Sequence, residues 1–342
     1  MLTRTGLLAR THSRPFATMV QNTSRTFTLN DGRSIPAVGL GTWQSKPNEV
    51  RDAVKFALQH GYRHVDTALN YGNEKEVGEG IRQSGVAREQ IWVTTKLDNP
   101  WHHRVAEGFE KSLSDLDIGY IDLFLMHFPC STDPDDATKH LPDWDYVKTW
   151  QEMQKLVDAG KVKSIGVSNF QIRHLEKLLG DPSCKIVPAV NQIEVCVSRD
   201  GITTQTGPKL TRQWQLHPCN PSPKLLDFCT SKGIHCTAYS CLGGTAGSPI
   251  NNSGPLMDEP AIVEIAAAKG KTPQQIVLMW GLQRGTSIIP KSVTPARIEQ
   301  NFALDGWSLA QADMDRISAV KGRFKVVQDA WMPIRVFFGD DE

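Results

Sequence analysis

The chain has 342 residues, of which 39% are hydrophobic and 22% charged, and its formal net charge is +1. This near-neutral charge argues against a protein that binds nucleic acid or an anionic membrane surface. No apolar stretch approaches the roughly 20 residues needed to cross a bilayer. The seven cysteines contain no CxxC pair, so we expect neither a disulfide framework nor a metal site. Small molecules are the expected partners.

The first thirty residues differ in composition from the rest of the chain. They carry four arginines and seven threonines, and no acidic residue precedes Asp31. This composition is typical of a mitochondrial transit peptide, but it also fits a disordered tail or a translation start at Met19. We expect residues 1–30 to be a disordered or targeting extension and residues 31–342 to form one domain. The expected compartment is the cytoplasm, with the mitochondrion as the alternative.

From residue 35 onward, short β-branched runs alternate with segments of helical pattern. Eight strands, each followed by a helix-length segment, are typical of a closed parallel (β/α)8 TIM barrel. A doubly wound open sheet is disfavoured because Gly39-Leu40-Gly41 lacks the third glycine of a dinucleotide-binding turn. We predict strands at 37–41, 62–66, 91–95, 121–126, 164–167, 187–193, 235–239 and 287–290, and helices that include 48–60, 104–116, 146–159, 175–179, 223–232 and 294–303.

Polar side chains lie at or just after the ends of three consecutive predicted strands. Asp66 ends the second strand, and Tyr71 lies in the loop that follows it. Lys96 and His127 follow the third and fourth strands. These positions share one rim of a parallel barrel. A phenol there can protonate a carbonyl oxygen if a nearby cation, here Lys96, eases release of its proton. Asp66 can hold Lys96 in place, and His127 can orient the carbonyl.

Several longer motifs occur around these residues in a fixed order. They are GYRHVDTA at 61–68 with Tyr71 and Glu74, HFP at 127–129, GVSNF at 166–170, and IPKS at 289–292 followed by Arg297. In this order the motifs resemble the aldo-keto reductase family over residues from about 27 to 320. The stretch KHLPDW at 139–144 is similar to fungal members that act on glycerol, glyceraldehyde and sugar acids. Relatives of this kind are often monomeric, and we expect a monomer.

The resemblance implies that Tyr71 is the general acid, that Lys96 and Asp66 tune it, and that His127 orients the substrate. It also implies NADP(H) as the cofactor, because two cations and a hydroxyl at the eighth strand end form an anion site suited to a phosphate. The implied cofactor-binding residues are Ser168, Asn169, Gln192, Tyr239, Ser240, Leu242, Lys291, Ser292, Arg297, Gln300 and Asn301. The implied substrate-binding residues are Trp43, Trp101, His127 and Phe128.

Departures from the family pattern bear on the substrate. Phe128 and Asp98 stand where many relatives have tryptophan, and Cys241 replaces a common proline. The loop at 243–247 also lacks the acidic residue that many relatives use to close over the cofactor. The pocket of this chain should therefore have one polar residue more and one aromatic residue fewer than that of many relatives. We expect its substrates to be small hydroxylated aldehydes, glycerol or glyceraldehyde, or sugars, rather than bulky hydrophobic ketones.

Residues 195–215 interrupt the family pattern between Glu194 and the Leu-His-Pro turn at 216–218. The segment has neither helical nor alternating periodicity, and long structureless loops are uncommon in compact domains. Val195-Cys196 can be encoded by a 5′ splice-site sequence, and Gln215 by a codon that ends a 3′ splice site. The 21 codons keep the reading frame. We expect a retained intron, and the alternative is a genuine lid beside Gln192.

Two other functional classes stay open at this point. Some relatives keep the barrel and the cofactor site but act as regulatory or structural proteins without significant turnover. A Schiff-base aldolase could instead use Lys96 as its nucleophile. The aldolase alternative explains neither Tyr71 nor the phosphate site, and the complete set of four polar residues favours a reductase.

Overall fold

A computed structural model describes residues 21–194, 216–217, 220–243, 256–320, 327 and 329–338. Within these ranges the chain alternates between strands and helices, as the sequence predicts. The strands are β1 (Thr26–Thr28), β2 (Ser34–Pro36), β3 (Leu40–Gly41), β4 (His64–Asp66), β5 (Trp92–Leu97), β6 (Ile121–Met126), β7 (Val162–Ser168), β8 (Val190–Glu194), β9 (Leu216–His217), β10 (Asn220–Pro221), β11 (His235–Tyr239) and β12 (Ser287–Ile288). The helices are α1 (Pro47–Gln59), α2 (Glu74–Gln83), α3 (Val105–Leu116), α4 (Tyr146–Asp158), α5 (Ile172–Gly180), α6 (Pro223–Ser231), α7 (Pro260–Lys269), α8 (Pro273–Gln283), α9 (Pro295–Phe302) and α10 (Gln311–Ser318).

Eight of these strands form one parallel sheet in the order β3 to β8, then β11 and β12. The two ends of the sheet meet, because Val38 bridges Ile288 and Gly41 bridges Lys291, both in parallel register. A Cβ atom at Gly41 would lie 2.8 Å from the carbonyl oxygen of Ile289, so glycine permits the close approach that closes the sheet. The predicted (β/α)8 barrel is confirmed.

A short antiparallel hairpin of β1 and β2 packs at the amino-terminal end of the barrel. Leu29 and Ile35 are buried there with residues of three barrel strands or their approaches, including Trp92 and Leu123. Asn22 is also buried, and its side-chain nitrogen donates to the carbonyl oxygen of Leu304 at 2.8 Å. Composition predicted that the folded domain begins at residue 31. In the structure, residues between 21 and 30 already pack on the barrel.

The helices cover the sheet through one-sided apolar faces. In α1 the buried residues, Val50, Ala53, Val54, Ala57 and Leu58, follow the i, i+3, i+4, i+7, i+8 spacing of an amphipathic helix. None of the helices in the described ranges combines the length and the apolar character needed to cross a bilayer.

The parallel sheet brings the carboxyl ends of its strands to one rim, where the predicted site residues lie. Asp66 ends β4, Ser168 ends β7 and Tyr239 ends β11. Lys96 is the penultimate residue of β5, and His127 directly follows β6. The segment 195–215 and residues 1–20 and 244–255 lie outside the described residues, so the expectations for the insertion, the amino terminus and the 243–247 loop stay predictions.

Candidate active site

Lys96 is the centre of a buried hydrogen-bonded group at the barrel rim. Its Nζ donates to Asp66 Oδ1 at 2.7 Å, to the carbonyl oxygen of Thr67 at 2.8 Å and to Tyr71 Oη at 3.2 Å. Lys96 is only 1% exposed. The three donor positions of the ammonium are therefore matched by three oxygens, which offsets the cost of burying the charge. The barrel holds a phenol, an ammonium and a carboxylate in one connected set.

Burial and the Lys96–Asp66 ion pair shift the pKa values of Lys96 and Tyr71 in opposite directions. Burial alone would lower the pKa of Lys96, but the carboxylate of Asp66 and the phenol outweigh it, and the net pKa is raised. Burial raises the pKa of Tyr71, while Lys96 opposes the rise. Tyr71 therefore keeps its proton at neutral pH and is available as an acid, and Lys96 is the group that favours loss of that proton.

His127 lies across the cavity from Tyr71. Their ring centroids are 5.8 Å apart with the planes inclined by 70°. Burial, and next the positive charge of Lys96, lower the pKa of His127 well below its usual value. The imidazole is therefore neutral at physiological pH and carries one N–H that can donate to a carbonyl oxygen.

The group opens into a cavity of about 330 Å³. Twelve sequence-predicted residues line it: Trp43, Asp66, Tyr71, His127, Phe128, Ser168, Asn169, Gln192, Tyr239, Ser240, Leu242 and Lys291. Lys96 lies behind them, buried beneath Asp66 and Tyr71. The structure thus brings the predicted catalytic residues and most of the predicted cofactor residues to one place.

An amide-rich wall forms the side of the cavity made by β7, β8 and β11. Asn169 adopts a left-handed backbone conformation, with φ of 64°, which asparagine tolerates better than most residues. Its side-chain nitrogen donates to the carbonyl oxygen of His127 at 3.0 Å, and its Oδ1 accepts from the Tyr239 hydroxyl at 2.6 Å. The Ser168 hydroxyl donates to the carbonyl oxygen of Gln192 at 2.8 Å. These bonds fix the orientation of the Tyr239 ring.

At its other end the cavity is lined by Lys291, a cation that follows strand β12. Lys291 is half-buried, and burial lowers its pKa, with Glu49 opposing that shift. No carboxylate of a described residue lies within ion-pair distance of Lys291 or Arg297. The Ser292 hydroxyl accepts from the backbone N–H of Thr294 at 3.1 Å. The remaining predicted cofactor residues, Arg297, Gln300 and Asn301, lie on α9 beyond the residues that line the cavity.

Trp101 is the one predicted substrate residue that the structure places outside the cavity lining. A 3₁₀ helix follows Asp98 and carries the Trp101 ring under the guanidinium of Arg104, whose carbon is 4.5 Å from the ring centroid. Of the two tryptophans expected to wall the cavity, only Trp43 lines it. Phe128, stacked on His127 at 4.9 Å, provides the other aromatic surface.

Eight lining residues were not among the predicted site residues: Gly41, Thr42, Asn70, Cys241, Ile289, Pro290, Val327 and Trp331. Asn70 directly precedes Tyr71, so its position beside the phenol was available as a signal. Trp331 is 52% exposed and meets Phe128 edge to face with ring centroids 5.4 Å apart. Val327 donates its backbone N–H to the Glu194 carboxylate at 2.6 Å. Both lie beyond the last recognisable motif, and no local pattern marks them.

The sequence model of the aldo/keto reductase family matches residues 37–321. The chain belongs to the aldo/keto reductase family. Among its relatives, the glycerol 2-dehydrogenase (NADP(+)) of Saccharomyces cerevisiae is 39% identical over 337 residues, which cover 93% of this chain and 98% of the relative. The D-galacturonate reductase of Hypocrea jecorina is 44% identical over 292 residues, covering 81% and 85% of the two chains.

Solved structures support the same assignment of this aldo/keto reductase. The crystal structure of a Bombyx mori aldo-keto reductase in complex with NADP has a TM-score of 0.76 and 35% identity, and covers 90% of this chain and 97% of that chain. The aldose reductase of Schistosoma japonicum has a TM-score of 0.72 and 37% identity, covering 86% and 91%. The predicted family, the predicted barrel and the predicted class, an oxidoreductase, are confirmed.

Proposed function

We propose that this aldo/keto reductase reduces the carbonyl group of small hydroxylated aldehydes or sugars with NADPH, and oxidises the corresponding polyols in the reverse direction. The observation that carries the proposal is the simultaneous bonding of Lys96 to Asp66 and Tyr71. A barrel that served only a regulatory or structural role would not need a buried ammonium held against a phenol at the mouth of a cavity. Burying such a charge is costly.

The expected cofactor, NADP(H), is confirmed by the relatives, one of which carries NADP(+) in its name and another of which was solved with NADP. The residues of this chain fit it. Lys291 is a half-buried cation whose pKa is lowered by burial, so a phosphate beside it would compensate that cost. Arg297 is exposed on the first turn of α9. The guanidinium is suited to forked contacts with a phosphate. We assign the 2′-phosphate to these two residues and Ser292.

When bound, NADPH supplies a hydride to the carbonyl carbon. The residues of the chain then orient the carbonyl and deliver the proton. His127, which is neutral, donates a hydrogen bond to the carbonyl oxygen and so fixes the face that is attacked. Tyr71 transfers its phenolic proton to the developing alkoxide, and Lys96 stabilises the phenolate that remains. Asp66 keeps the ammonium in place. We assign the carboxamide of the nicotinamide to the wall of Ser168, Asn169 and Gln192.

A polar pair beside Tyr71 supports a hydroxylated substrate. Asn70 lines the cavity, and its side-chain nitrogen donates to Asp98 Oδ1 at 3.1 Å. Asp98 also accepts from the backbone N–H of Asn99 at 2.9 Å. A hydroxyl group next to the reacting carbonyl can therefore find hydrogen-bonding partners on this side, while Trp43 and Phe128 pack against its carbon chain.

The experiment is a panel of carbonyl substrates assayed by loss of NADPH absorbance. Glyceraldehyde and sugar acids with a free aldehyde are compared with unsubstituted aldehydes of the same chain length, in the wild type and in Asn70→Val. We expect the wild type to favour the hydroxylated substrates by about tenfold or more in kcat/KM, and Asn70→Val to lose most of that preference. Absence of turnover with every carbonyl would refute the reductase and favour a cofactor-binding regulatory barrel.

We further propose that the protein is a monomer that acts in the cytoplasm, with mitochondrial import through the arginine- and threonine-rich first thirty residues as the alternative. Size-exclusion chromatography with light scattering tests the first statement. Fractionation of cells that express a carboxyl-terminally tagged protein tests the second, and co-purification with mitochondria would contradict it.

We propose that residues 195–215 derive from a retained intron. The compatibility of Val195-Cys196 and Gln215 with splice-site codons, and the preserved reading frame, support this origin. Sequencing of the mature transcript tests it, because reads that run through the 63 nucleotides in most messages would contradict it and favour a translated lid. Assays of the protein with and without the segment show whether it affects turnover, since it follows Glu194, two residues after Gln192.

A further inference from the structure

Glu74 is a buried carboxylate close to the catalytic group, and the proposed mechanism does not use it. It is the first residue of α2 and is 3% exposed. Its Oε1 accepts a hydrogen bond from the Thr95 hydroxyl on β5 at 2.5 Å. Ser112 of α3 lowers the pKa of the same carboxyl, but within the described residues neither its hydroxyl nor Glu74 Oε2 has a hydrogen-bond partner. The carboxyl therefore lies where a helix start, a barrel strand and a second helix meet.

The Glu74–Thr95 bond joins the two segments that carry Tyr71 and Lys96. Thr95 directly precedes Lys96, and alternation along the strand turns Thr95 towards the helices while Lys96 faces the barrel interior. On the other side, Glu74 follows Tyr71 by three residues. This short connection therefore limits how far the Tyr71 phenol can move relative to the Glu74 carboxyl, which is held by Thr95.

The residues between Tyr71 and Glu74 are themselves held. Gly72 turns the chain with φ of 66°. Asn73 is buried, and its side-chain nitrogen donates to the carbonyl oxygens of Thr42 and Ser45 at 3.1 and 3.2 Å. These bonds tie the segment to the loop after β3. Among the side-chain hydrogen bonds found in the described parts of the chain, those that join this segment to β5 are made by Tyr71 itself and by Glu74.

We propose that Glu74 is a positioning residue that, through Thr95, sets the distance between Tyr71 Oη and Lys96 Nζ. The inference rests on the proposed reductase function for its catalytic meaning, but its geometric part is independent of turnover. The Lys96–Tyr71 contact is 3.2 Å, longer than the 2.7 Å contact of Lys96 with Asp66. It is the weaker member of the group and the one that most needs a second restraint.

The test compares the loss of the Thr95 hydroxyl on β5 with the loss of the Ser112 hydroxyl on α3. Thr95→Val keeps the volume of the side chain but removes the hydroxyl that links Glu74 to β5. The matched control, Ser112→Ala, removes a buried hydroxyl of α3 that affects the same carboxyl without a hydrogen bond to it and lies away from the strand of Lys96. Thr95→Ser, which retains a hydroxyl, and Glu74→Gln, which retains an accepting oxygen, are the conservative variants.

For each protein, kcat, the dissociation constant for NADPH and the melting temperature are measured. The pKa of Tyr71 is followed by NMR of 13C-labelled tyrosine, with the resonance assigned by its loss in Tyr71→Phe. We expect Thr95→Val to lower kcat about tenfold to a hundredfold and to change NADPH affinity by no more than about twofold. The pKa of Tyr71 should rise in this variant because Lys96 opposes the effect of burial less well. Ser112→Ala, Thr95→Ser and Glu74→Gln should keep kcat within about threefold of the wild type.

Equal losses of kcat in Thr95→Val and Ser112→Ala would overturn the proposal, because both would then report general destabilisation. An unchanged pKa of Tyr71 in Thr95→Val would also overturn it. If Thr95→Val fails to fold, Glu74→Asp, whose carboxyl is one methylene short of Thr95, must show the same shift in the pKa of Tyr71. If the wild type lacks turnover, the reductase function fails, whereas the NMR measurement still decides the role of Glu74.

Discussion

Gln192 and Asp66 are joined by a short hydrogen bond between the cofactor side and the proton-transfer side of the site. The side-chain nitrogen of Gln192 donates to Asp66 Oδ2 at 2.6 Å, while Lys96 occupies Oδ1 at 2.7 Å. Both carboxylate oxygens are therefore bonded, and the carboxylate is 2% exposed. Asp66 can hold Lys96 firmly because its second oxygen is not free to rotate towards another donor.

This arrangement predicts that the effects of substituting Asp66 and Lys96 on the free energy of unfolding are strongly coupled. Lys96→Met leaves a buried carboxylate without its cation and should lower the free energy of unfolding by about 3 to 5 kcal/mol. The double variant Asp66→Asn/Lys96→Met removes both charges and should recover most of that loss. Urea denaturation monitored by tryptophan fluorescence measures the three proteins.

The exposed pair of Lys155 and Glu152, with nitrogen and oxygen 2.6 Å apart, provides the control. Lys155→Met should cost no more than about 1 kcal/mol, because solvent screens an exposed pair. A Lys96→Met protein as stable as Lys155→Met would show that Asp66 is not a buried charge that depends on Lys96.

Glu74 predicts a pH-dependent stability that can be removed by substitution. Burial raises its pKa to about 7, with Thr95 and Ser112 opposing the shift, Asp115 adding to it and Lys111 opposing it. A carboxyl with a raised pKa in the folded state stabilises the protein below its unfolded pKa, and this contribution is lost as the pH rises through about 7. The wild type should therefore lose roughly 2 to 3 kcal/mol relative to Glu74→Gln between about pH 5 and pH 8.

The measurement is urea denaturation of both proteins across this pH range, with the difference taken at each pH so that other titrating groups cancel. A difference that stays constant with pH would mean that the pKa of Glu74 is not raised in the folded protein.

Lys291 predicts the choice between the two nicotinamide cofactors. Lys291→Met should raise KM for NADPH by about tenfold to a hundredfold and leave KM for NADH nearly unchanged, because in the proposed assignment the charge contacts only the 2′-phosphate. The protein without cofactor should be no less stable, since burial already disfavours this cation. Initial rates with each cofactor, using Lys155→Met as the control, measure the effect. Equal increases in both KM values would place Lys291 away from the 2′-phosphate.

The sequence was sufficient to predict the barrel and the rim at which Asp66, Tyr71, Lys96 and His127 lie, while their catalytic roles stay a prediction. Asp66, Lys96 and His127 lie at or directly after the ends of three successive strands, β4, β5 and β6. Helix α8 was harder to predict. Eight of its eleven residues are buried, so it lacks the polar face that marks a helix such as α1, and periodicity alone does not distinguish it from a buried strand.

Tertiary contacts explain the remaining differences in the site. Trp101 was expected in the cavity from the resemblance to the family, but Asp98 accepts from the N–H of Asn99 and starts a 3₁₀ turn that carries the ring away. Trp331 enters the cavity from the distant end of the chain, through contacts such as that with Phe128. Neither outcome depends on a local pattern that the sequence displays.

The most direct test of proton donation by Tyr71 is the turnover of Tyr71→Phe with glyceraldehyde at saturating NADPH, measured together with the dissociation constant for NADPH. Removing only the hydroxyl should lower kcat by about a hundredfold or more and leave NADPH affinity within about twofold of the wild type. Turnover that stays within about tenfold of the wild type would contradict Tyr71 as the general acid.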